Sequence, residues 1–240
     1  MYLYWYIILV IRMILNSHNI SRMFLVNKPI DWTSFDVVKK VRGIIQKKYN
    51  LKKIKVGHAG TLDPKASGLL IICTGKHKKQ MKLFESLNKK YIGTMKIGCV
   101  TESFDSETEE CNSQPYEQLS IQEIKKVFSN FIGHQEQKPP IFSAVKVNGE
   151  RLYKKARRGE IDFKVKSRKV TIYKLHVIEI NLPFIKFEVE CTKGTYIRSL
   201  VNDIGKQLVC GAYLYELMRT GIGDFKLEKA IEINEISECV

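Results

Sequence analysis

The feature of this sequence that most constrains its fold is a loop rich in glycine and polar residues that runs into an apolar segment. The loop is Gly57-His58-Ala59-Gly60-Thr61-Leu62-Asp63-Pro64, and the apolar segment is Leu69-Leu70-Ile71-Ile72-Cys73. A short apolar run bounded by Gly and Pro predicts a buried strand. Because loops held by rigid strands often carry catalytic groups, Asp63 is a candidate catalytic carboxylate. The alternative is an ordinary turn, in which Asp63 is only the residue before Pro64.

Strands and helices follow one another along the chain without a regular βαβ rhythm. Residue patterns predict strands at 24–27, 69–73, 91–97, 142–147, 169–180, 184–191 and 213–219. Helical periodicity is found after Ser34 and at 76–87, 121–131, 151–158 and 196–208, with Ser34 and Thr195 as candidate N-caps. This order favours an α+β fold with a mixed, mostly antiparallel sheet flanked by helices.

The length of 240 residues is typical of one domain, which can bury a stable core without disulfides or metals. The six cysteines form no Cys-x-x-Cys pair, which favours a reducing compartment such as the cytoplasm. The first 15 residues are apolar apart from Arg12. This apolar stretch is too short and too interrupted for a good transmembrane helix, which needs about 18 to 20 residues. Three interpretations stay open: translation assigned upstream of a true start at Met23, a targeting segment for an organelle, and a membrane anchor. We expect a leader at 1–22 and the folded domain at 23–240.

The charge of the chain is concentrated in blocks. Lys and Arg total 40 and Asp and Glu total 25, a net charge of +15. Residues 39–90 carry a net charge of +13 and residues 151–169 carry +7, whereas residues 101–123 hold seven acids and no Lys or Arg. Basic blocks of this kind favour binding to a polyanion such as nucleic acid, with Lys78 and Lys79 as candidate phosphate contacts. The alternative is a solvated helix face, and the acidic stretch is expected to be an exposed loop.

Two further segments carry candidate binding residues. In the segment 191–200 (CTKGTYIRSL), Arg198 would lie in the first helical turn, where the helix dipole disfavours a cation. We therefore expect a carboxylate or phosphate partner for Arg198, with a surface cation as the alternative. Residues 137–159 join a strand, a turn at Asn148-Gly149 and a basic helix with interleaved aromatic residues. That pattern suits phosphate contacts and base stacking, although a plain hairpin with a solvated helix would look the same.

Taken together, four segments resemble the tRNA pseudouridine synthase B family, whose members isomerise uridine 55 in the T-loop of tRNA. They are GHAGTLDPKASGLL, KKYIGTMKIG, PPIFSAVKVNGERLYKKAR and CTKGTYIRSLVNDIGKQLVCGAY, and they occur in the family's order. The resemblance extends over residues 24–221. It implies the pseudouridine synthase fold, without a full copy of the C-terminal RNA-binding domain that many bacterial members carry.

The resemblance also implies roles for individual residues. Asp63 corresponds to the nucleophilic aspartate, Tyr91 to the active-site tyrosine, and Arg198 to the arginine that pairs with the aspartate. Tyr196 lies beside that arginine, and Leu217 corresponds to a leucine that lines the pocket. His58 is expected to fill the space left by the flipped uridine, with a structural hydrogen bond in the loop as the alternative.

The resemblance implies a reaction with no redox change and no energy input, so no cofactor and no metal is expected. The implied partner is tRNA, bound by a monomer without a guide RNA. A carboxylate can form a covalent intermediate or stabilise positive charge on the sugar, and the uridine must be flipped out of its loop to reach it. The alternative function is a non-catalytic protein that binds or folds tRNA, which would need the basic surface but not Asp63.

Overall fold

A computed structural model describes residues 20–143, 145–147, 149–156, 158–160 and 165–239 of the chain. The chain divides into two compact units. The first unit contains the described residues up to Leu87 and those from Arg219 onward, and the second contains residues 88–218. The predicted leader falls mostly on residues 1–19, which lie outside the described residues.

The described elements are numbered here in chain order. The strands are β1 (Met23–Lys28), β2 (Val56–His58), β3 (Ala66–Thr74), β4 (Lys89–Ile97), β5 (Val100–Thr101), β6 (Glu110–Cys111), β7 (Gly133–Gln137), β8 (Lys146–Val147), β9 (Glu150–Arg151), β10 (Arg168–Asn181), β11 (Phe184–Cys191), β12 (Ala212–Ile222) and β13 (Phe225–Lys226). The α-helices are α1 (Ser34–Tyr49), α2 (Met81–Ser86), α3 (Ile121–Asn130), α4 (Leu152–Ala156), α5 (Ile197–Gln207) and α6 (Ile236–Cys239), and short 3₁₀ helices are found at Gly75–Gln80, Leu227–Lys229 and Ile233–Glu235.

In the first unit, β3 is the central strand. β1 and β2 both pair with β3 in antiparallel fashion, and the end of β12 lies beside it. Helix α1 packs its apolar side, which includes Val37, Val41 and Ile45, on one face of these strands. The other face of β3 packs against a second apolar cluster that includes Phe84. Because β3 is buried on both faces, its sequence is a continuous apolar run rather than an alternating one.

The second unit contains an antiparallel sheet in the order β4-β11-β10-β7. Residues of β4 and β11 pair in register over eight positions, among them Tyr91 opposite Val189. Helix α3 packs on this sheet through Phe128, whose ring lies 6.0 Å from the ring of Phe187 in an edge-to-face arrangement. The predicted α+β class, with a mostly antiparallel sheet flanked by helices, is confirmed.

Three local predictions were wrong. Thr33, not Ser34, caps α1, because the Thr33 side chain accepts a hydrogen bond from the Asp36 backbone. Thr195 does not cap α5, since its hydroxyl donates to the Thr192 carbonyl and the N-cap residue is Tyr196. The predicted strand at 142–147 is limited to β8, which pairs with β9 in a short hairpin.

The acidic stretch at 101–123 is only partly the exposed loop that its composition predicts. Its first residues form β5 and a tight turn, in which Thr101, Ser103 and Asp105 are buried. A left-handed backbone at Phe104, with φ of 61°, allows the turn to close. Composition fails here because a buried carboxylate needs a partner that is distant in sequence.

The structure contains no α-helix, among the residues it describes, with the length and apolar composition needed to cross a bilayer.

Candidate active site

The loop that carries Asp63 connects β2 to β3, and hydrogen bonds from outside the loop fix its backbone. The Ala59 amide donates to the Ile71 carbonyl over 2.9 Å. The buried hydroxyl of Ser34 accepts from the Leu62 amide over 2.8 Å and donates to the Leu62 carbonyl over 3.0 Å. Asp63 itself is half-buried, directly after Leu62. The fold thus presents the carboxylate on a rigid backbone rather than on a mobile turn.

Arg219 holds the same loop from inside the first unit. Its side chain is 1 % exposed, and its guanidinium donates to the carbonyls of Leu69, Gly60 and Thr61 over 2.7, 3.1 and 3.4 Å. Sequence analysis missed this residue. The available signal was a single arginine at the end of an otherwise largely apolar predicted strand. Gly68 allows the approach: its φ is +103°, and a Cβ there would lie 2.4 Å from the Arg219 carbonyl oxygen.

Lys28, at the end of β1, is a second buried cation that the sequence analysis did not single out. Its ammonium donates to the carbonyls of Trp32, Pro29 and Pro64 over 2.6, 2.8 and 3.4 Å. Burial lowers its pKa to about 8, and attraction to the Asp63 carboxylate acts in the opposite direction. The same attraction stabilises the Asp63 carboxylate, because the interaction between two charges is shared by both.

His58 ends β2, opposite Ile72 of β3, and is half-buried. Burial, followed by the positive charge of Arg219, lowers the pKa of His58, and a hydrogen bond with the Gly60 backbone opposes them. The imidazole is therefore neutral at neutral pH. Its Nδ1 atom is buried and has no hydrogen-bond partner among the described residues.

In the second unit, Arg198 lies in the first turn of α5 and is buried beside Asp105. Its Nε atom lies 3.4 Å from Asp105 Oδ2, and Nη1 donates to the Ser103 carbonyl over 3.1 Å. The two side chains are 4 % and 5 % exposed. The expectation that Arg198 has a carboxylate partner is met here by Asp105, which sequence analysis had placed in an exposed loop.

Asp105 is itself held by several hydrogen bonds. The Ser103 hydroxyl donates to Oδ1 over 2.6 Å, and the Glu107 amide donates to the same oxygen over 3.0 Å. The Asp105 carbonyl accepts from the Thr101 hydroxyl over 2.7 Å. Because both the carboxylate and the backbone carbonyl of Asp105 are hydrogen-bonded, the carboxylate has little freedom to rotate away from Arg198.

The remaining predicted residues of this unit lie on strands and at the start of α5. Tyr91 is on β4 and is 8 % exposed. Leu217 is on β12 and half-buried, and Tyr196, also half-buried, precedes α5. Of the predicted site residues, the first unit carries His58, Asp63, Lys78 and Lys79, and the second carries Tyr91, Tyr196, Arg198 and Leu217.

The predicted phosphate contacts Lys78 and Lys79 are exposed in the 3₁₀ helix that follows β3. Lys78 also packs against the strand that ends in His58: a Cβ on Gly57 would lie 3.0 Å from Lys78 Cε. A second basic surface of the first unit is an open groove of about 980 Å³ between α1 and the C-terminal segment. Four lysines of α1 line it together with Trp32: Lys39, Lys40, Lys47 and Lys48.

Within the part of the chain that the structure describes, no group of three or more His, Cys, Asp or Glu is placed to hold a metal ion.

Two family models match the chain. Residues 46–197 match the model described as TruB family pseudouridylate synthase, N-terminal domain. Residues 198–240 match the model described as tRNA pseudouridylate synthase B C-terminal domain. Proteins called tRNA pseudouridine synthase B match over most of their length. That of Phocaeicola vulgatus is 47 % identical over 88 % of this chain and 90 % of its own, and that of Flavobacterium johnsoniae is 46 % identical over 92 % and 96 %.

Solved structures are similar as well. A chain in the crystal structure of a Cbf5-Nop10-Gar1 complex aligns with a TM-score of 0.67 and 30 % identity. A chain in the structure of an H/ACA RNP bound to a substrate RNA containing 2′-deoxyuridine aligns with a TM-score of 0.64 and 27 % identity. Each alignment covers 90 % of this chain but only about half of the solved chain, 53 % and 52 %. The likeness confirms the fold predicted from the sequence.

Proposed function

Because this chain belongs to the TruB family of pseudouridylate synthases and forms pseudouridine in tRNA, we propose that its target is uridine 55 of the T-loop and that Asp63 is its nucleophile. The observation that carries the assignment of Asp63 is its loop. Ser34, Arg219 and Lys28 all hold the backbone of that loop, and Asp63 is half-buried within it.

The proposed reaction is balanced without any other reactant. The bond between the sugar C1′ and uracil N1 breaks, the uracil turns, and a bond forms between C1′ and C5. The proton on C5 is removed and N1 gains a proton, so no electron is lost or gained. The Asp63 carboxylate either attacks the sugar to give a covalent intermediate or stabilises the positive charge that develops when the base leaves. Either role requires an ionised carboxylate.

In this proposal, positive charge lies near the Asp63 carboxylate. Desolvation disfavours a carboxylate, and a nearby cation opposes that effect. Lys28 is a buried cation of the same unit that attracts Asp63. The family resemblance adds Arg198, whose guanidinium is held in a defined position by Asp105 and the Ser103 carbonyl.

Other residues bind the flipped nucleotide. Tyr91 stacks on the uracil and moves or positions a proton, Tyr196 and Leu217 line the pocket, and His58 occupies the space that the base leaves in the T-loop. A neutral His58 suits that role, since a charged imidazole would have to be desolvated against the bases.

The basic surfaces bind the tRNA backbone before chemistry begins. Lys78 and Lys79 contact phosphates near the catalytic loop, and the groove along α1 supplies a further set of ammonium groups. We propose that the catalytic domain extends over 23–240 and acts as a monomer in the cytoplasm, without a guide RNA.

The decisive experiment is to incubate purified protein with an unmodified tRNA transcript and to map pseudouridine at nucleotide resolution. We expect modification at uridine 55 alone, with no added RNA, metal or cofactor. A transcript with uridine 55 replaced by cytidine is the substrate control. Modification at another position would overturn the T-loop assignment.

The Asp63→Asn variant is the matched protein control, because the amide has the same shape but cannot act as a nucleophile. We expect no turnover above a blank without enzyme, and tRNA binding within about twofold of wild type. Turnover by this variant would remove Asp63 from the nucleophile role. Wild-type protein that binds tRNA but modifies no uridine would favour a non-catalytic tRNA-binding or folding protein.

A further inference from the structure

The start of α5 positions Arg198, yet the helix is not capped by its own sequence. Among the residues that the structure describes, the N-cap residue Tyr196 makes no side-chain hydrogen bond with the first turn. The preceding Thr195 directs its hydroxyl to the Thr192 carbonyl, over 2.8 Å. Helix starts ordinarily need such a partner, because their first amides have none within the helix.

A side chain from another strand holds the backbone of the residue that precedes the helix. Gln137, the last residue of β7, is 4 % exposed and places its carboxamide against the Tyr196 backbone. Its Oε1 accepts from the Tyr196 amide over 2.7 Å, and its Nε2 donates to the Tyr196 carbonyl over 2.9 Å. The carboxamide thus pairs with both backbone groups of one residue, as a neighbouring strand would. Two bonds to one peptide residue fix its orientation as well as its position.

Two neighbouring contacts hold the same helix start. Arg168, which is paired with Gln137 across β10 and β7, places its guanidinium 5.1 Å from the centre of the Tyr196 ring. The buried Ser199 donates its hydroxyl to the Lys138 carbonyl over 2.8 Å. Residues on both sides of Arg198 are therefore tied to the end of β7, where Gln137 and Lys138 are adjacent.

We propose that Gln137 is a positioning residue for pseudouridine formation, which sets the direction of the Arg198 guanidinium by holding the Tyr196 backbone. Arg198 has only one residue between itself and Tyr196, so a small rotation at Tyr196 moves the guanidinium directly. Small displacements of a reacting group are sufficient to slow a reaction severely. This inference rests on the role proposed above for Arg198.

The test uses two variants and single-turnover kinetics with enzyme in excess over tRNA. Gln137→Glu keeps the shape and the acceptor for the Tyr196 amide, but it places a carboxylate oxygen against the Tyr196 carbonyl. Gln137→Leu removes both bonds. We expect the rate constant to fall at least tenfold in each variant, while the final yield and the dissociation constant for tRNA stay within about twofold of wild type.

The folded fraction, measured by circular dichroism, separates positioning from mere stability. If Gln137 only stabilises the fold, the folded fraction falls while the single-turnover rate constant, measured with folded enzyme still in excess over tRNA, stays at the wild-type value. That result would overturn the proposal. Gln135→Leu is the matched control, because Gln135 lies on the same strand opposite Val170. We expect the wild-type rate constant from it.

The same assay distinguishes this inference from the proposed function. If Asp63→Asn and Arg198→Lys both keep the wild-type rate, the proposed function has failed. If those variants lose activity while both Gln137 variants keep the wild-type rate constant, the positioning role alone is wrong.

Discussion

Arg198 and Asp105 form an ion pair in which each side chain is almost fully buried, with 3.4 Å between Nε and Oδ2. At the scale of single residues, this burial makes the two side chains interdependent. A buried charge that loses its partner is much more costly than one exposed to water. The guanidinium also reaches the Ser103 carbonyl, which a shorter point charge could not contact at the same time.

We therefore expect Arg198→Lys to lower the single-turnover rate constant at least tenfold, which corresponds to about 1.4 kcal/mol in the activation barrier. A wild-type rate constant in this variant would mean that the guanidinium is not required.

The partner Asp105 gives a separate prediction about stability. Asp105→Asn, which removes this buried carboxylate from beside the guanidinium, should lower the free energy of unfolding by about 3 kcal/mol. Denaturant titration measures this effect. The control is Glu102→Gln, an exposed acid of the same turn, for which we expect a change within about 0.5 kcal/mol. Equal effects of the two acid substitutions would show that burial of Asp105 does not matter.

At the same scale, the burial of Lys28 predicts how the free energy of unfolding depends on pH. Its pKa falls from 10.5 to about 8 in the folded protein, chiefly because of burial. Between those values the unfolded chain binds more protons than the folded chain, so the contribution of Lys28 to the free energy of unfolding rises with pH. Below about pH 8 the penalty for burying the ammonium is fully present.

The measurement is the free energy of unfolding of wild type minus that of Lys28→Met, from pH 7 to pH 10.5. We expect this difference to increase with pH, with most of the increase above pH 8. Subtraction is essential because burial raises the pKa of Cys73 and Cys99 to about 11, and those thiols destabilise the fold over the same range. A difference that is flat with pH would mean that Lys28 keeps its ordinary pKa when buried.

At the scale of elements, the sequence predicted what depends on neighbours in the chain. The continuous apolar run of β3 indicated a strand buried on both faces, and the period of α1 placed Val37, Val41 and Ile45 in the core. The loop between β2 and β3 was identified from its residue types. These features follow from local propensity and burial, which a sequence displays directly.

Three of the failures share a cause, which is a partner distant in sequence. Asp105 looks like a residue of an acidic surface loop until Arg198 is brought beside it. Arg219 shows no local sign of the three carbonyls that it contacts. Thr33 and Ser34 are equally suitable caps by residue type. Thr33 is the cap because the Ser34 hydroxyl is already hydrogen-bonded to the Leu62 backbone.

Two adjacent substitutions test whether Thr33 caps α1 while Ser34 holds the loop. Thr33→Ala removes the cap of α1 and should lower the free energy of unfolding by about 1 kcal/mol. Ser34→Ala leaves the buried Leu62 amide without its partner and should cost about 1 to 3 kcal/mol. Only Ser34→Ala should also lower the single-turnover rate constant, because it loosens the loop that carries Asp63. Equal rate constants for the two variants would mean that the loop does not need this support.

At the scale of the whole molecule, the excess of 15 positive charges should make tRNA binding strongly dependent on salt. Each neutralised phosphate contributes a slope of about −0.7 to −0.9 in log K against log salt. With about five contacts, the affinity should fall roughly a hundredfold for a fourfold rise in salt. Filter binding over that range measures the slope, and a nearly flat response would contradict a phosphate-binding role for the basic surfaces.

Charge reversal tests where the contacts lie. Lys76, Lys79 and Lys82, substituted together by Glu, should weaken binding and flatten the salt slope; Lys78 is retained because its stem packs against Gly57. The matched control substitutes Lys125, Lys126 and Lys186, which are exposed lysines outside both basic blocks. Both variants lower the net charge by the same amount, so equal losses of affinity would indicate that only total charge matters.

The first unit is assembled from two stretches of chain, and this has a consequence for biosynthesis. Gly60 and Arg219, which are joined by a hydrogen bond, lie 159 residues apart. The second unit lies between the loop with Asp63 and Arg219 in the sequence. The ribosome must therefore complete the second unit before Arg219 can emerge. The nascent chain therefore carries Asp63, the proposed nucleophile, long before it has the arginine that holds the loop in shape. Contacts of such long sequence separation form slowly, so the loop with Asp63 becomes rigid only after the second unit has been translated.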